Sequence, residues 1–169
     1  DPLAYRYLLL TAHYRTQMNF SWESLEAAQT AYHNLLSEIA RKREVKKSAS
    51  ITSYQKKFKT FISDDLDTLK ALALLWEIVK NPKLDNKSVG KLVKEFDEVL
   101  GLDLINKSKE LSKEQSDIPQ SISKLADERW ELRKNKEFDK ADKIRLTLAK
   151  KGYEVEDLED DFIVKKLVK

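Results

Sequence analysis

The chain has 169 residues, 41% hydrophobic and 36% charged, with a formal net charge of only +3. That length suits one medium domain, or a bundle with a small appended module. Three Gly and three Pro are too few for the turns of a sheet-rich fold, so the composition points to helices and excludes an all-β architecture.

Cysteine is absent, which removes disulfides, thiolate metal ligands and a cysteine nucleophile. His13 and His33 are the only histidines and have no suitably spaced co-ligands, so no metal site is expected. Without a signal peptide or an apolar run that could span a bilayer, the expectation is a cytoplasmic protein with no membrane contact. The chain opens Asp1-Pro2 and its only methionine is Met18, which reads as one part of a longer product.

Asp1-Pro2 suits an N-cap followed by Pro at the first helical position, and Leu3, Tyr7, Leu10 and Tyr14 recur at helical spacing, giving a first helix to about residue 16. Ser21 can cap a second helix with the stripe Leu25, Ala28, Tyr32, Leu35, Leu36 and Ile39. This helix fades into a basic run. Arg41, Lys42, Arg43, Lys46, Lys47, Lys56, Lys57 and Lys59 stand against a single acid, Glu44. Such a run is either a solvated helix end and loop or a patch that neutralises phosphates. A third helix carries Ile51, Tyr54, Phe58, Phe61 and Ile62 up to a break at Asp64-Asp65. The fourth is the most apolar, with Leu66, Leu69, Leu72, Ala73, Trp76, Ile78 and Val79, and ends at Asn81-Pro82. The fifth places Val89, Leu92, Val93, Phe96, Val99 and Leu100 inward, and Gly101 can terminate it.

These segments predict an antiparallel helical bundle over residues 1–105. Residues 106–117 are polar and read as a linker. A small α+β module over 118–169 follows. One helix starts near Pro119 with Ile122, Leu125, Ala126 and Leu132; another carries Phe138, Ala141, Ile144 and Leu148 and is closed by Gly152. The tail from Tyr153 to Val168, with Val155 and Leu158 before Glu159-Asp160-Asp161 and then Phe162-Ile163-Val164, suits a hairpin. The fold class is mainly α.

Three segments resemble the cysteinyl-tRNA synthetases. RYLLLTAHYRTQMNFS, from Arg6 to Ser21, is similar to the family pattern R-Y-x-x-x-x-x-H-Y-R-S-x-[LM]-[ND]-[FY]-S. YQKKFKTFISDDLDTLKALALLW, from Tyr54, keeps Asp64, Asp65, Leu66 and Thr68 of a second motif, with Asp67 and Leu69 where the family usually has Asn and Pro. LADERWELRKNKEFDKADKIRLTLAKKGYEVED, from Leu125, is a dense match to the family's last module. The final strand departs from the pattern: Asp161-Phe162-Ile163-Val164 stands where Gly-Thr-x-Trp is usual. Both ATP-binding signatures of class I synthetases are absent.

The resemblance implies the C-terminal, tRNA-binding part of a monomeric, ATP-dependent cysteine–tRNA ligase, with a bundle of the class Ia anticodon-binding type. No catalytic residue or cofactor is expected in this chain; ATP and zinc belong to the parent's catalytic domain. The expected partners are cysteine tRNA and that domain. Matching positions imply anticodon contact for Arg133, Phe138, Asp142, Arg145 and Asp157, and contact with the catalytic domain or the tRNA elbow for Arg6, His13, Tyr14 and Arg15.

The chemistry of the first set suits single-stranded RNA. Bases are read there by stacking on aromatic or guanidinium planes and by hydrogen bonds to their edges. Arg133 and Arg145 offer planar forks, and Asp142 and Asp157 are acceptor-only when ionised, which suits the donors of the guanine that begins the family's anticodon. Read from spacing alone, Asp142 and Arg145 could equally form an ion pair on one helix, and Phe138 could be core. Two other functions fit the same composition: a free-standing RNA-binding module, and a helical protein-interaction scaffold without RNA.

Overall fold

A computed structural model of the protein describes residues 1–41, 45, 50–157 and 162–167. Among these residues the order is α1 (Pro2–Leu10), α2 (Trp22–Ala40), α3 (Thr52–Ser63), α4 (Thr68–Lys80), α5 (Asn86–Leu100), α6 (Leu104–Ser116), α7 (Gln120–Lys134), α8 (Phe138–Lys150), β1 (Tyr153–Asp157) and β2 (Phe162–Lys166). The mainly α architecture, a bundle followed by two helices and a hairpin, is the one read from the sequence. Two compact units divide the chain, Asp1–Leu111 and Ser112–Lys169, and the division falls inside α6.

In the first unit, side chains satisfy the backbone donors that a helix start leaves unpaired. Asp1 accepts from the Leu3 amide, Ser21 forms a reciprocal capping box with Ser24, Asp67 accepts from the Lys70 amide and Asp85 from the Ser88 amide. The helices bury stripes that meet in one core, with Tyr32, Leu35, Leu75, Ile78, Leu92 and Phe96 all inaccessible to solvent. Phe58 stacks on Phe96 with ring centroids 3.8 Å apart and planes 7° apart. The polar tips of the buried aromatics are paired: Tyr32 donates its hydroxyl to the Leu102 carbonyl at 2.8 Å, and Trp76 donates its indole N–H to the Tyr7 hydroxyl at 2.9 Å. Burial holds both phenols above the ordinary tyrosine pKa.

Gly101 ends α5 in the left-handed region at φ 65°. A Cβ there would lie 2.8 Å from a terminal nitrogen of Arg6, whose Nε donates to the Leu100 carbonyl at 2.6 Å. Just beyond, the two oxygens of Asp97 accept from the amides of Leu102 and Leu104, which fixes the turn into α6.

Several sequence expectations are corrected. The first helix stops at Leu10 instead of near residue 16: the Thr11 hydroxyl and amide both turn back to the Leu8 carbonyl, and Tyr14, read as part of the helical stripe, is 61% exposed. Residues 106–117, read as a polar linker, are helical through Ser116, and the division between the two units falls among them. Lys, Glu, Gln and Leu are good helix formers, no Gly or Pro interrupts them, and Leu104, Ile105 and Leu111 pack into or against the core of the first unit, so α6 forms. Leu66 and Leu69 lie at the surface, because the chain passes through positive φ at Asp65 and Leu66 and α4 starts only at Thr68. Val99 also stays exposed, on the flank of the α5 stripe.

The second unit packs α7 and α8 beside the hairpin. Its core is Ile122, Ala126, Leu148, Val155 and Val164, with Ile118, Leu125, Ile144, Tyr153 and Phe162 against it. The strands are antiparallel, with Tyr153 opposite Lys166, Val155 opposite Val164 and Asp157 opposite Phe162. Lys136 adopts φ 61° between α7 and α8, while its amide bonds to the Arg133 carbonyl and that of Glu137 to the Leu132 carbonyl. This double bond pattern closes a helix C-terminus in a tight turn, and it starts α8 directly at Phe138.

Candidate nucleic-acid interface

The site of greatest chemical interest lies in the second unit and is organised by a residue that sequence reasoning does not single out. Arg129 is charged and yet only 1% exposed. It follows Ile122 and Ala126 at helical spacing on the inward face of α7. A buried charge is tolerated only when it is paired and hydrogen-bonded. Asp157, at the end of β1, supplies the partner: the two terminal nitrogens of Arg129 donate to its two carboxylate oxygens at 2.6 and 2.8 Å. Two parallel charge-assisted bonds of this kind fix orientation as well as charge.

Around this pair the predicted residues take different positions. Arg133 lies one turn after Arg129 and is half exposed, its Nε 3.4 Å from the same carboxylate. Its guanidinium carbon is 6.0 Å from the centroid of the Phe138 ring. Phe138 is 54% exposed, so its ring is surface and not core. Asp142 and Arg145 are exposed on α8, and among the described residues they form no ion pair with each other. They act through their fields, Asp142 on Arg129 and Arg145 on Asp157. The hydrogen bonds from Arg129, with the charges of Arg129, Arg133 and Arg145 behind them, hold the Asp157 carboxyl below its ordinary range against the opposing effect of burial. Asp157 is therefore ionised at neutral pH, and its side chain remains 28% exposed. Two of the five predicted residues, Arg133 and Asp157, are in direct contact, and Phe138 stands beside them; Asp142 and Arg145 are linked to them electrostatically. The signal that could have found Arg129 is its place as the first Arg of the third motif, four residues before Arg133.

The surface so formed has an anchored carboxylate acceptor, a half-exposed guanidinium fork and an exposed aromatic ring. Such a surface can take a planar ligand that offers a π face and N–H donors on its edge.

In the first unit, His13, Tyr14 and Arg15 converge on Asp65. The Tyr14 hydroxyl donates to an Asp65 carboxylate oxygen at 2.8 Å, and Arg15 approaches the same oxygen at 3.0 Å while its Nε donates to the Tyr14 hydroxyl at 2.8 Å. His13 Nε2 lies 3.1 Å from the Asp65 carbonyl, and its ring stacks on Tyr14. The hydrogen bond to Asp65 holds the Tyr14 phenol above its ordinary pKa. Arg6 lies apart from this group, on the Leu100–Gly101 turn.

Of the basic run, Lys42, Arg43, Lys46 and Lys47 lie outside the described residues. Arg41 ends α2 in an ion pair with Glu38 at 2.8 Å. Lys56, Lys57 and Lys59 are exposed on α3. Lys57 is 3.9 Å from Glu77, and Lys56 and Lys59 line a groove of about 510 Å³ whose other residues include Phe58, Ile62, Glu95 and Glu98. The groove is thus mixed in sign.

Against protein-family models the sequence matches none. Against curated proteins it is similar over nearly its whole length to enzymes of one kind. A cysteine–tRNA ligase 1 of Burkholderia lata is 38% identical over 157 residues, covering 93% of this chain and 32% of that protein. The cysteine–tRNA ligase of Borreliella burgdorferi is 34% identical over 182 residues, covering 98% of this chain and 38% of that protein. That of Chlamydia muridarum is 30% identical over 189 residues, again with 38% of its length covered. These relatives are aminoacyl-tRNA synthetases by name. The similarity is consistent with a C-terminal segment of a cysteinyl-tRNA synthetase, and the chain spans only 32–38% of the length of these relatives.

Proposed function

We propose that the chain is the tRNA-binding part of a cysteinyl-tRNA synthetase, an enzyme that ligates cysteine to its cognate tRNA with ATP, and that it supplies tRNA and anticodon recognition. The observation that carries the reading is the anchored Asp157 carboxylate beside Arg133 and Phe138, at positions matching the anticodon-reading module. Arg133, Asp142, Arg145 and Asp157 contact the anticodon bases, and Phe138 offers a stacking face worth about 1–3 kcal/mol per base. Arg41, Lys42, Arg43, Lys46, Lys47, Lys56, Lys57 and Lys59 follow the tRNA backbone. The cluster of His13, Tyr14 and Arg15, with Arg6, faces the catalytic domain or the tRNA elbow.

Cysteine activation belongs to the catalytic domain, with its ATP and zinc. Among the described residues no group of His, Asp or Glu side chains is arranged to hold a metal ion, and no helix is long and apolar enough to cross a membrane. The proposed assembly is a cytoplasmic monomer.

Asp142→Asn tests the reading. Asn keeps the shape but removes the charge and exchanges one acceptor for a donor. If Asp142 accepts from the first anticodon guanine, binding of cysteine tRNA weakens by about 1–3 kcal/mol, the range for a good base contact. The loss shrinks on a tRNA changed at that base, because the interaction is already missing there. A variant that melts earlier and binds both tRNAs equally less well makes the side chain structural and refutes the assignment.

A further inference from the structure

We infer that Arg129 is a positioning residue for base recognition, holding the Asp157 carboxylate in one orientation so that its solvent-facing lone pairs, together with the Arg133 fork, form a fixed acceptor–donor pair for a nucleobase edge. This inference rests on the anticodon reading above and adds to it a residue that itself touches no RNA.

The geometry carries the argument. Arg129 is 1% exposed and cannot reach a ligand, yet both its terminal nitrogens are committed to Asp157. An ionised carboxylate has about four acceptor positions. Arg129 occupies one on each oxygen from the protein side, and the 28% exposure of Asp157 leaves the outer positions open to a ligand. Arg133 approaches the same oxygen as the second Arg129 nitrogen, but at 3.4 Å and from a half-exposed position. With Arg129 already balancing the carboxylate charge, Arg133 is not needed for that purpose and its fork is available to a base. The strand end alone could not provide this order: Asp157 is the last residue of β1, and only the grip from α7 ties its side chain to the helical part of the unit. The remaining Arg129 nitrogen, Nε, is buried with no hydrogen-bond partner among the described residues. The side chain therefore gives up one hydrogen bond in the geometry that aims both others at Asp157.

The test uses the 169-residue chain and two RNA hairpins, one with the anticodon loop of a cysteine tRNA and one with its first anticodon base changed from G to A. Arg129→Lys keeps the charge but loses the fork, and Arg129→Met removes both. The ratio of affinities for the two hairpins should fall by about 5-fold or more in Arg129→Lys, with affinity for the altered hairpin unchanged and the circular dichroism spectrum intact. In Arg129→Met the titration of the Asp157 carboxyl carbon, followed by NMR, should also move to higher pH. If Arg129→Met does not fold, Arg129→Lys decides the question alone. An Arg129→Lys chain that discriminates like wild type, or that loses affinity for both hairpins equally, overturns the positioning role. A wild-type chain that binds both hairpins equally overturns the anticodon reading itself, and the positioning role with it, before any variant is made.

Discussion

Replacing Asp157 by Ala should damage the second unit severely, more so than replacing its partner. Asp157→Ala leaves the Arg129 guanidinium 1% exposed with no counter-charge. Removing one member of a buried ion pair costs about 3–5 kcal/mol, and the partial exposure of Asp157 puts the value near the lower end. Arg133, already 37% exposed, gives up only a surface interaction worth about 0.2–1 kcal/mol. A unit the size of Ser112–Lys169 has about 3–9 kcal/mol of total stability at the usual 0.05–0.15 kcal/mol per residue. The change therefore removes at least about a third of it. Arg129→Met, in contrast, fills the same space with apolar atoms and leaves a carboxylate that still has water and Arg133 for company, so it costs less. Trp130 lies in this unit, its ring 5.8 Å from Phe162, and its indole N–H resonance reports on it selectively during urea titration. An Asp157→Ala cost under about 1 kcal/mol, or a larger cost for Arg129→Met, would refute the assignment of Arg129 as a dependent buried charge.

The pH dependence of the same pair has a definite sign. Because the folded-state pKa of Asp157 is depressed, its contribution is complete above the ordinary carboxylate pKa and is lost as pH falls through the folded value. The Trp130 signal should weaken on acidification below about pH 4, and Asp157→Asn should abolish that component. Replacing Lys56 and Lys59 together with the lysines from Lys42 to Lys47 should weaken all tRNAs similarly and flatten the salt slope by about 0.7–0.9 for each phosphate no longer neutralised; an unchanged slope in a binding titration would return the run to an ordinary solvated surface. Gly101→Ala forces a Cβ into the left-handed region and against the Arg6 guanidinium at 2.8 Å. It should destabilise the first unit by about 1–2 kcal/mol, measurable as a lowered melting temperature, with part of the loss recovered in an Arg6→Ala background.

The elements legible in the sequence are those whose signal is local. The Ser21 cap, the stop at Gly101, the closing turn at Gly152 and the hairpin from Tyr153 each depend on residues within a few positions. What is not legible depends on partners far along the chain. Residues 106–117 look like a linker when polar composition is weighed without the apolar packing of Leu104, Ile105 and Leu111 that folds them into α6. Leu66 and Leu69 fit a core stripe because periodicity does not register the two positive-φ residues that rotate the chain before Thr68. Arg129 escapes for the same reason. An arginine in an apolar stripe is identified as buried only when its acid, Asp157, is brought to it from a strand 28 residues later.

The same long-range logic ties the first two motifs together. In the sequence Tyr14 is read into the stripe of the first helix, His13 and Arg15 beside it as residues of a domain or tRNA contact, and Asp64-Asp65 as a separate helix break. In the structure they are one object. Asp65 takes φ 53° and Leu66 φ 56°, a conformation that costs non-glycine residues about 1–3 kcal/mol each. Contacts from His13, Tyr14 and Arg15 converge on the first of these two residues. The three-residue string thus has work to do inside its own unit, as clamps on a backbone turn that local preferences oppose. That bears on any role at a domain boundary: Tyr14→Phe removes two hydrogen bonds from the clamp, the one donated to Asp65 and the one accepted from Arg15, while keeping the exposed ring. A stability loss confined to the first unit would then measure the clamp, and only an effect on tRNA charging in the full-length enzyme beyond that loss would measure an interface.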